Sequence, residues 1–299
     1  MNNNENIVLQ NERSSHVEKL VNELSTFKFF QYVYSKDMFK IFGMNLLMCI
    51  FLVPLIYIYY QYTLDTSAFN STIPANGSLG LGFTYWAGLT AYAKNMLNGF
   101  STKLWLYSIP SLCAFSLAFA GGICIIRDAF WTGRIKVIKP FFIGIYQCGL
   151  IVFVGFAILS SALFGLIQLN IFAATLSSFG GVSLQIIAWI IFALICIYLF
   201  TLFSVTATYK QGFLDSIKTA WALMWKYFVS TLINFLISLV PIYLLLIFGG
   251  GQLQIIMAVI FLMIGLFYIV LVWQSHMMKI FSIYHPVEKK VIKRKKQYQ

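Results

Sequence analysis

Long apolar runs are the feature of this 299-residue chain that most limits its possible folds. An α-helix of about 20 apolar residues crosses the ~30 Å hydrocarbon layer of a membrane. Six runs of roughly this length lie at about 41–61, 105–126, 141–167, 185–208, 229–248 and 255–274. Only 10% of the residues are charged, against about 25% in soluble domains. The sequence therefore predicts an all-α, polytopic transmembrane helical bundle of six spans.

The distribution of lysine and arginine predicts the orientation of this bundle. Nineteen of the 21 basic residues precede the first run, follow the last one, or lie in the connections at 127–140 and 209–228. Basic flanks stay on the cytoplasmic side of a membrane. We therefore predict a multi-pass protein of the cell (plasma) membrane with its N- and C-termini inside. It would consist of a cytoplasmic amphipathic segment (1–40), a six-helix domain (41–274) and a basic cytoplasmic tail (275–299).

Two connections between the spans also have helical patterns. Residues 79–100 repeat apolar side chains at helical spacing, but their uncharged part is shorter than a span requires. We expect a separate amphipathic helix there, lying in the outer interface, rather than a seventh span. In 209–228, aromatic residues such as Trp221 and Trp225 share one side, and charged residues such as Asp215 lie on the other. That helix either anchors the chain at the interface or docks a partner protein.

The sequence contains no recognisable catalytic or metal-binding pattern. Its five cysteines and three histidines form no CxxC or HExxH motif, and every cysteine lies within an apolar run. The interiors of the predicted spans hold no Asp, Glu, Lys, Arg or His, which argues against a proton-coupled pump or a membrane hydrolase. We therefore predict a non-enzymatic protein without a cofactor. The basic tail is expected to meet anionic lipid headgroups rather than nucleic acid.

Uncharged polar residues inside the spans are the first set of candidate functional residues. They are Asn45, Gln147, Asn234 and Ser238. These side chains could line a polar path for a neutral solute, or they could make hydrogen bonds between helices. Both interpretations are open at the level of sequence.

Small residues recur every fourth position in two spans. The repeats are Ala114, Ala118 and Gly122 in the second span, and Ala157, Ser161 and Gly165 in the third. Such stripes let helix backbones approach closely, so they predict two packing faces. The match of Ile135-Lys136 to Ile217-Lys218 also leaves open an internal duplication of spans two and three as spans four and five.

The connection after the second span provides the second set of candidates. We predict that the stretch IIRDAFWTGRIKVIKP, residues 125–140, holds two spans to the cytoplasmic side and offers a docking surface there. The candidate docking residues are Arg127, Asp128, Phe130, Trp131, Arg134, Lys136 and Lys139.

Two sections of the chain resemble the YesL-type family of bacterial six-span integral membrane proteins. The first is FKIFGMNLLMCIFLVPLIYI (39–58), with an Asn-Leu-Leu run before a proline; the second is AFAGGICIIRDAFWTGRIKVIKPFFIGIYQC (118–148), where a small-residue helix ends in an arginine. The resemblance implies a bacterial inner membrane, a link to carbohydrate uptake and other membrane transport subunits as partners. We therefore expect an accessory to, or a component of, a solute uptake system. The alternative is a membrane scaffold or an assembly or stress factor with no transport role.

Overall fold

The computed structural model of the protein describes residues 38–72, 83–132, 135–173, 176, 178–209, 212–247 and 259–284. Within these ranges the chain is helical apart from short connections and contains no strand, which confirms the predicted all-α class. The helices are α1 (Met38–Thr72), α2 (Phe83–Thr132), α3 (Ile138–Ala173), α4 (Ser178–Thr208), α5 (Phe213–Lys226), α6 (Phe228–Ser238), α7 (Val240–Ile247) and α8 (Leu266–Tyr284). A π-helical turn, Phe261–Gly265, leads directly into α8. Most of the predicted N-terminal segment and the basic tail beyond residue 284 lie outside the described residues.

Five helical stretches are long and apolar enough to cross a membrane. They are Phe39–Tyr62, Asn98–Phe130, Ile138–Ala173, Phe179–Thr208 and Phe261–Ser282. A sixth exists only if α5 and α6 together form one broken span, and these two helices meet at an angle of 94°. The structure therefore supports a bundle of five or six membrane-length elements.

The predicted span at 229–248 is broken into α6 and α7 at Leu239. Pro241 has no N–H group, so it cannot donate to the carbonyl one turn back and the helical ladder is interrupted there. Hydrogen bonding resumes after the break, where the Leu239 carbonyl accepts from the N–H groups of Ile242 and Tyr243 at 2.9 and 3.0 Å. With 11 and 8 residues, the two helices are only about 16 and 12 Å long, each far short of a membrane crossing.

Helix α2 is one uninterrupted helix of 50 residues. The interfacial helix expected at 79–100 is helical from Phe83, but the expected separation between it and the second span is wrong. Gly99 is helix-destabilising by only about 1 kcal/mol relative to alanine, which is too little to end a helix by itself. Lys103 stays exposed, so its charge does not force a break.

Helices α2 and α8 form the centre of the bundle. In the most apolar stretch of each of these two helices, 72% of the residues are buried, whereas the share is 22–33% in the other three membrane-length stretches. Aromatic rings from these and the neighbouring helices form a continuous core. Its ring centroids are 5.2–5.7 Å apart for Phe119 with Phe156 and Phe200, for Phe156 with Phe203, and for Phe200 with Trp273. This core fills the middle of the helix bundle.

The two predicted small-residue faces have different outcomes. In α2, Ala118 is buried and Gly122 packs against the side chains of Met44 and Val270, which confirms that face. In α3, Gly165 faces open space, so the predicted face there is wrong. Helix α3 packs on α2 through Gly144 instead, where an added Cβ would lie 2.7 Å from the Cβ of Cys124.

Candidate functional site: a polar layer at the basic end of the bundle

Arg127 joins three helices at one end of the bundle. Its guanidinium forms an ion pair with Asp128, with nitrogen–oxygen distances of 2.8 and 3.0 Å. The same group donates to Oε1 of Gln147 on α3, at 3.4 Å, and to the carbonyl of Ala207 on α4. We call this end, which holds Arg127, residues 135–139 and α5, the basic end. Arg127 therefore fixes the ends of α2, α3 and α4 relative to one another.

A cavity of about 240 Å³ lies beside Arg127 and its hydrogen-bond partners. Six of its eight lining residues have polar side chains, namely Arg127, Gln147, Thr206, Thr208, Tyr209 and Ser216, and the other two are Ile151 and Ala207. The hydroxyls of Thr206, Thr208 and Ser216 each donate to a carbonyl of the preceding helical turn, so they offer the cavity mainly acceptor lone pairs. The charge of Arg127 is balanced by Asp128. The chemistry of this cavity therefore suits water or a small neutral polar group better than a free anion.

Helix α8 contributes buried polar residues at about the same depth. Met278 lies 3.7 Å from the hydroxyl of Thr208, which places this part of α8 beside the polar cavity. Gln274, Ser275 and His276 are all buried. Among the described residues, both amide atoms of Gln274, the Ser275 hydroxyl and Nε2 of His276 have no hydrogen-bond partner. Such atoms are costly to bury, and they form a polar layer in the bundle interior together with the cavity beside Arg127.

Two ionisable residues lie just beyond the predicted span bounds but inside the helical bundle. The sixth span was predicted to end at residue 274, but the apolar helix continues to Ser282 and includes the buried His276. The second apolar stretch reaches Phe130 and so includes Arg127. The hydropathy of the sequence falls before these positions, although the helices and their packing continue.

Those candidate docking residues whose side chains the structure describes do not form one surface. Arg127 points into the bundle, Asp128 pairs with it, and Phe130 is buried in the core at 4% exposure. Lys136 and Lys139 are exposed. Trp131 lies in the last turn of α2, and Arg134 lies outside the described residues. Of the described part of the loop, the two lysines remain available to a partner.

The four candidate path residues are used within and between helices. Asn45 is fully buried; its amide nitrogen donates to the carbonyl of Leu262, and its oxygen accepts from the N–H of Phe267 at 2.8 Å. Gln147 accepts from Arg127. The other two bond within α6: Asn234 donates to the Ser230 carbonyl at 2.9 Å, and Ser238 to the Phe235 carbonyl at 2.7 Å. Among the described residues, these hydrogen bonds do not join the four side chains to one another.

Helix α5 lies across the basic end and is amphipathic, as predicted, but with a different buried face. Its buried residues are Ser216, Ala220, Leu223 and Met224. Trp221 and Trp225, predicted to lie on the apolar face, are both about half exposed, and their rings meet edge to face at 5.7 Å. The buried face thus joins two small residues to Leu223 and Met224, whereas the tryptophans stay about half exposed, although the Trp221 ring lies 5.8 Å from that of Tyr198 on α4.

Comparison with known proteins gives no further assignment: no protein-family model, no curated protein and no solved structure matches this chain. The class that the structure itself defines is a helical bundle with five or six membrane-length elements. The resemblance to the YesL-type family stays a prediction.

Proposed function

We propose that this is a non-enzymatic integral protein of the cell membrane that acts as an accessory to, or a component of, a solute uptake system. The observation that carries the proposal is the basic end, where the exposed Trp221 and Trp225 lie on a helix across the bundle. Exposed tryptophans are typical centres of protein interfaces. A membrane transport subunit is the partner that we expect on this surface, and carbohydrate is the solute class that the family resemblance implies.

The proposed orientation puts the basic end in the cytoplasm. Arg127, Lys136 and Lys139 lie together at this end, and Lys218 and Lys226 follow on α5. Clusters of basic residues resist translocation, and they favour the cytoplasmic leaflet with its anionic lipids. Both termini would then be cytoplasmic, as the alternation of basic connections predicts for an even number of spans.

A membrane scaffold or assembly factor without a transport role is the second candidate. It is favoured by the aromatic core, because Phe119, Phe156 and Phe200 pack closely in the middle of the bundle. The polar side chains proposed for a solute path make helix-to-helix or local hydrogen bonds instead. A protein of this kind would support other subunits while conducting nothing itself.

Affinity purification and uptake measurements on a deletion strain separate the two candidates. The strain is complemented with the wild-type chain, with the double variant Trp221→Ala/Trp225→Ala, or with Trp189→Ala as a matched control. Trp189 is also about half exposed, but it lies on α4 away from the basic end. Sugar uptake and the proteins retained in mild detergent are compared among the strains, with membrane abundance of each variant measured alongside.

The uptake proposal requires transport subunits that co-purify with the wild type and with Trp189→Ala, together with a growth defect of the deletion strain on particular sugars. The double variant should lose those partners at unchanged abundance. Normal uptake of every sugar, combined with partners that belong to assembly or stress responses, would establish the scaffold instead.

A further inference from the structure

A second cavity lies at the end of the bundle opposite to the basic end. It is an open groove of about 390 Å³ between α1 and α2, and most of its lining surface is apolar. Lys103, on its α2 side, precedes Arg127 by 24 residues in the same helix, which is about 36 Å along the axis. The groove and the polar layer therefore lie near opposite faces of a bilayer.

The groove holds one positive and one negative side chain. Asp65 comes from α1 and Lys103 from α2, and both are exposed. Within the part of the chain that the structure describes, the two charges form no ion pair with each other. They stand apart in one cavity, so a ligand that carries both charges can meet each of them separately.

Aromatic side chains surround these charges. Tyr57 and Tyr62 lie on the α1 side, and Phe100 and Tyr107 lie on the α2 side. Aromatic faces attract ammonium groups through cation–π interactions, and a carboxylate nearby adds direct charge pairing. A lysine ammonium is a common partner of phosphate. The lining thus complements a molecule with a phosphate and an ammonium group joined to an apolar body.

The depth of the groove indicates the source of such a molecule. The apolar stretch of α1 ends at Tyr62, one turn before Asp65, and the apolar stretch of α2 begins at Asn98, just before Lys103. The groove therefore lies where helix surfaces change from apolar to polar. Tyrosine is enriched at this level, where lipid headgroups meet the hydrocarbon layer.

We propose that this groove binds the headgroup of a zwitterionic phospholipid, with the phosphate at Lys103 and the ammonium at Asp65 among the tyrosine rings. The apolar remainder of the groove would receive the upper part of an acyl chain. The site is distinct from the basic end and does not depend on the function proposed above.

Lipid retention by the purified full-length chain tests this proposal. Delipidated protein in mild detergent is titrated with phosphatidylethanolamine, phosphatidylglycerol or water-soluble glycerophosphoethanolamine, and bound molecules are counted by native mass spectrometry. The variants are Lys103→Gln and Asp65→Asn, with Lys136→Gln as the control for an exposed lysine at the other end. All three positions are exposed, and a thermal unfolding midpoint for each variant verifies that it is folded.

We expect the wild type and Lys136→Gln to bind phosphatidylethanolamine more tightly than phosphatidylglycerol. Lys103→Gln should weaken the binding of both lipids by about tenfold, because each presents a phosphate. Asp65→Asn should weaken only phosphatidylethanolamine, because only that lipid carries an ammonium group.

Three results would overturn the proposal. The first is equal wild-type affinity for the two lipids, which would make the groove a simple basic patch. The second is unchanged phosphatidylethanolamine binding in Asp65→Asn. The third is competition by glycerophosphoethanolamine at the concentration of the lipid itself, which would assign the groove to a soluble phosphoamine.

Discussion

Asn45 connects the first and last helices of the bundle through a single side chain. Its amide donates to the carbonyl of Leu262 and accepts from the N–H of Phe267, and it has no exposure to the outside. These two backbone groups are five residues apart, which is the spacing of a π-helical hydrogen bond, and they lie at the π-helical turn before α8. The side chain of Asn45 thus binds both of these backbone groups where the helix is widened. Asn45→Leu keeps a similar volume and removes both hydrogen bonds.

The expected destabilisation follows from the two lost bonds. Hydrogen bonds between membrane helices contribute about 0.6 kcal/mol on average and up to about 1.7 kcal/mol. The loss of two such bonds should therefore lower the free energy of unfolding of Asn45→Leu by about 1–3 kcal/mol. The lower value applies if the Phe267 N–H rebonds directly to the Leu262 carbonyl, because local π adjustments can satisfy freed backbone groups.

The assay is reversible unfolding in mixed micelles of a mild and a denaturing detergent, followed by the loss of helical circular dichroism. Asn234→Leu is the matched control, since Asn234 is partly exposed and donates only to the Ser230 carbonyl of its own helix. Asn234→Leu should change the free energy of unfolding by less than about 0.5 kcal/mol. Equal effects of the two substitutions would refute the role assigned to Asn45, and so would a stabilised Asn45→Leu.

Three shorter predictions test the helix packing and the interactions of Arg127. Gly144→Ala should lower the free energy of unfolding by about 1–3 kcal/mol, because its added methyl group overlaps the side chain of Cys124. Gly165→Ala has open space around it and should be neutral, so equal unfolding midpoints of the two variants would contradict this prediction. Arg127→Ala should destabilise the bundle by about 1–3 kcal/mol, measured in the same detergent titration, while the exposed Lys136→Ala should have no effect. The fully buried Cys124 thiol should react with a polar maleimide only after unfolding; rapid labelling of the folded protein would show that α2 and α3 separate.

The sequence was sufficient for the helical class because apolar runs are a local property of the chain. It also located the amphipathic helix between the fourth and fifth runs, where Asp215 and the tryptophans alternate at helical spacing. It did not predict which face of that helix is buried. Both faces contain apolar residues, and in the structure the face with Ser216, Ala220, Leu223 and Met224 is the buried one. Such a choice depends on the shape of a neighbouring helix.

The polar layer was missed for a related reason. His276 lies just after the hydropathy of the last run declines, so it was assigned to the cytoplasmic flank, while the helix and its burial continue. The length of a helix beyond its apolar run is fixed by packing partners that are distant in sequence. The sequence contained one usable signal: Gln274, Ser275 and His276 are consecutive, and no glycine or proline follows until Pro286. A helix that continues through three polar residues next to basic connections is a candidate for a polar interior layer.

The two cavities and the core between them bear on the proposed role in solute uptake. On α2, Phe119 lies between Lys103 of the groove between α1 and α2 and Arg127 of the polar layer, and its ring is within 5.3 Å of those of Phe156 and Phe200. These rings come from three different helices, so opening a path would require α2, α3 and α4 to separate. Arg127 ties the ends of the same three helices together. Because Arg127 and the aromatic core restrain the same three helices, a solute path between α2, α3 and α4 would have to break both sets of contacts. This arrangement supports the proposed role of an accessory protein or a scaffold rather than that of a stand-alone channel.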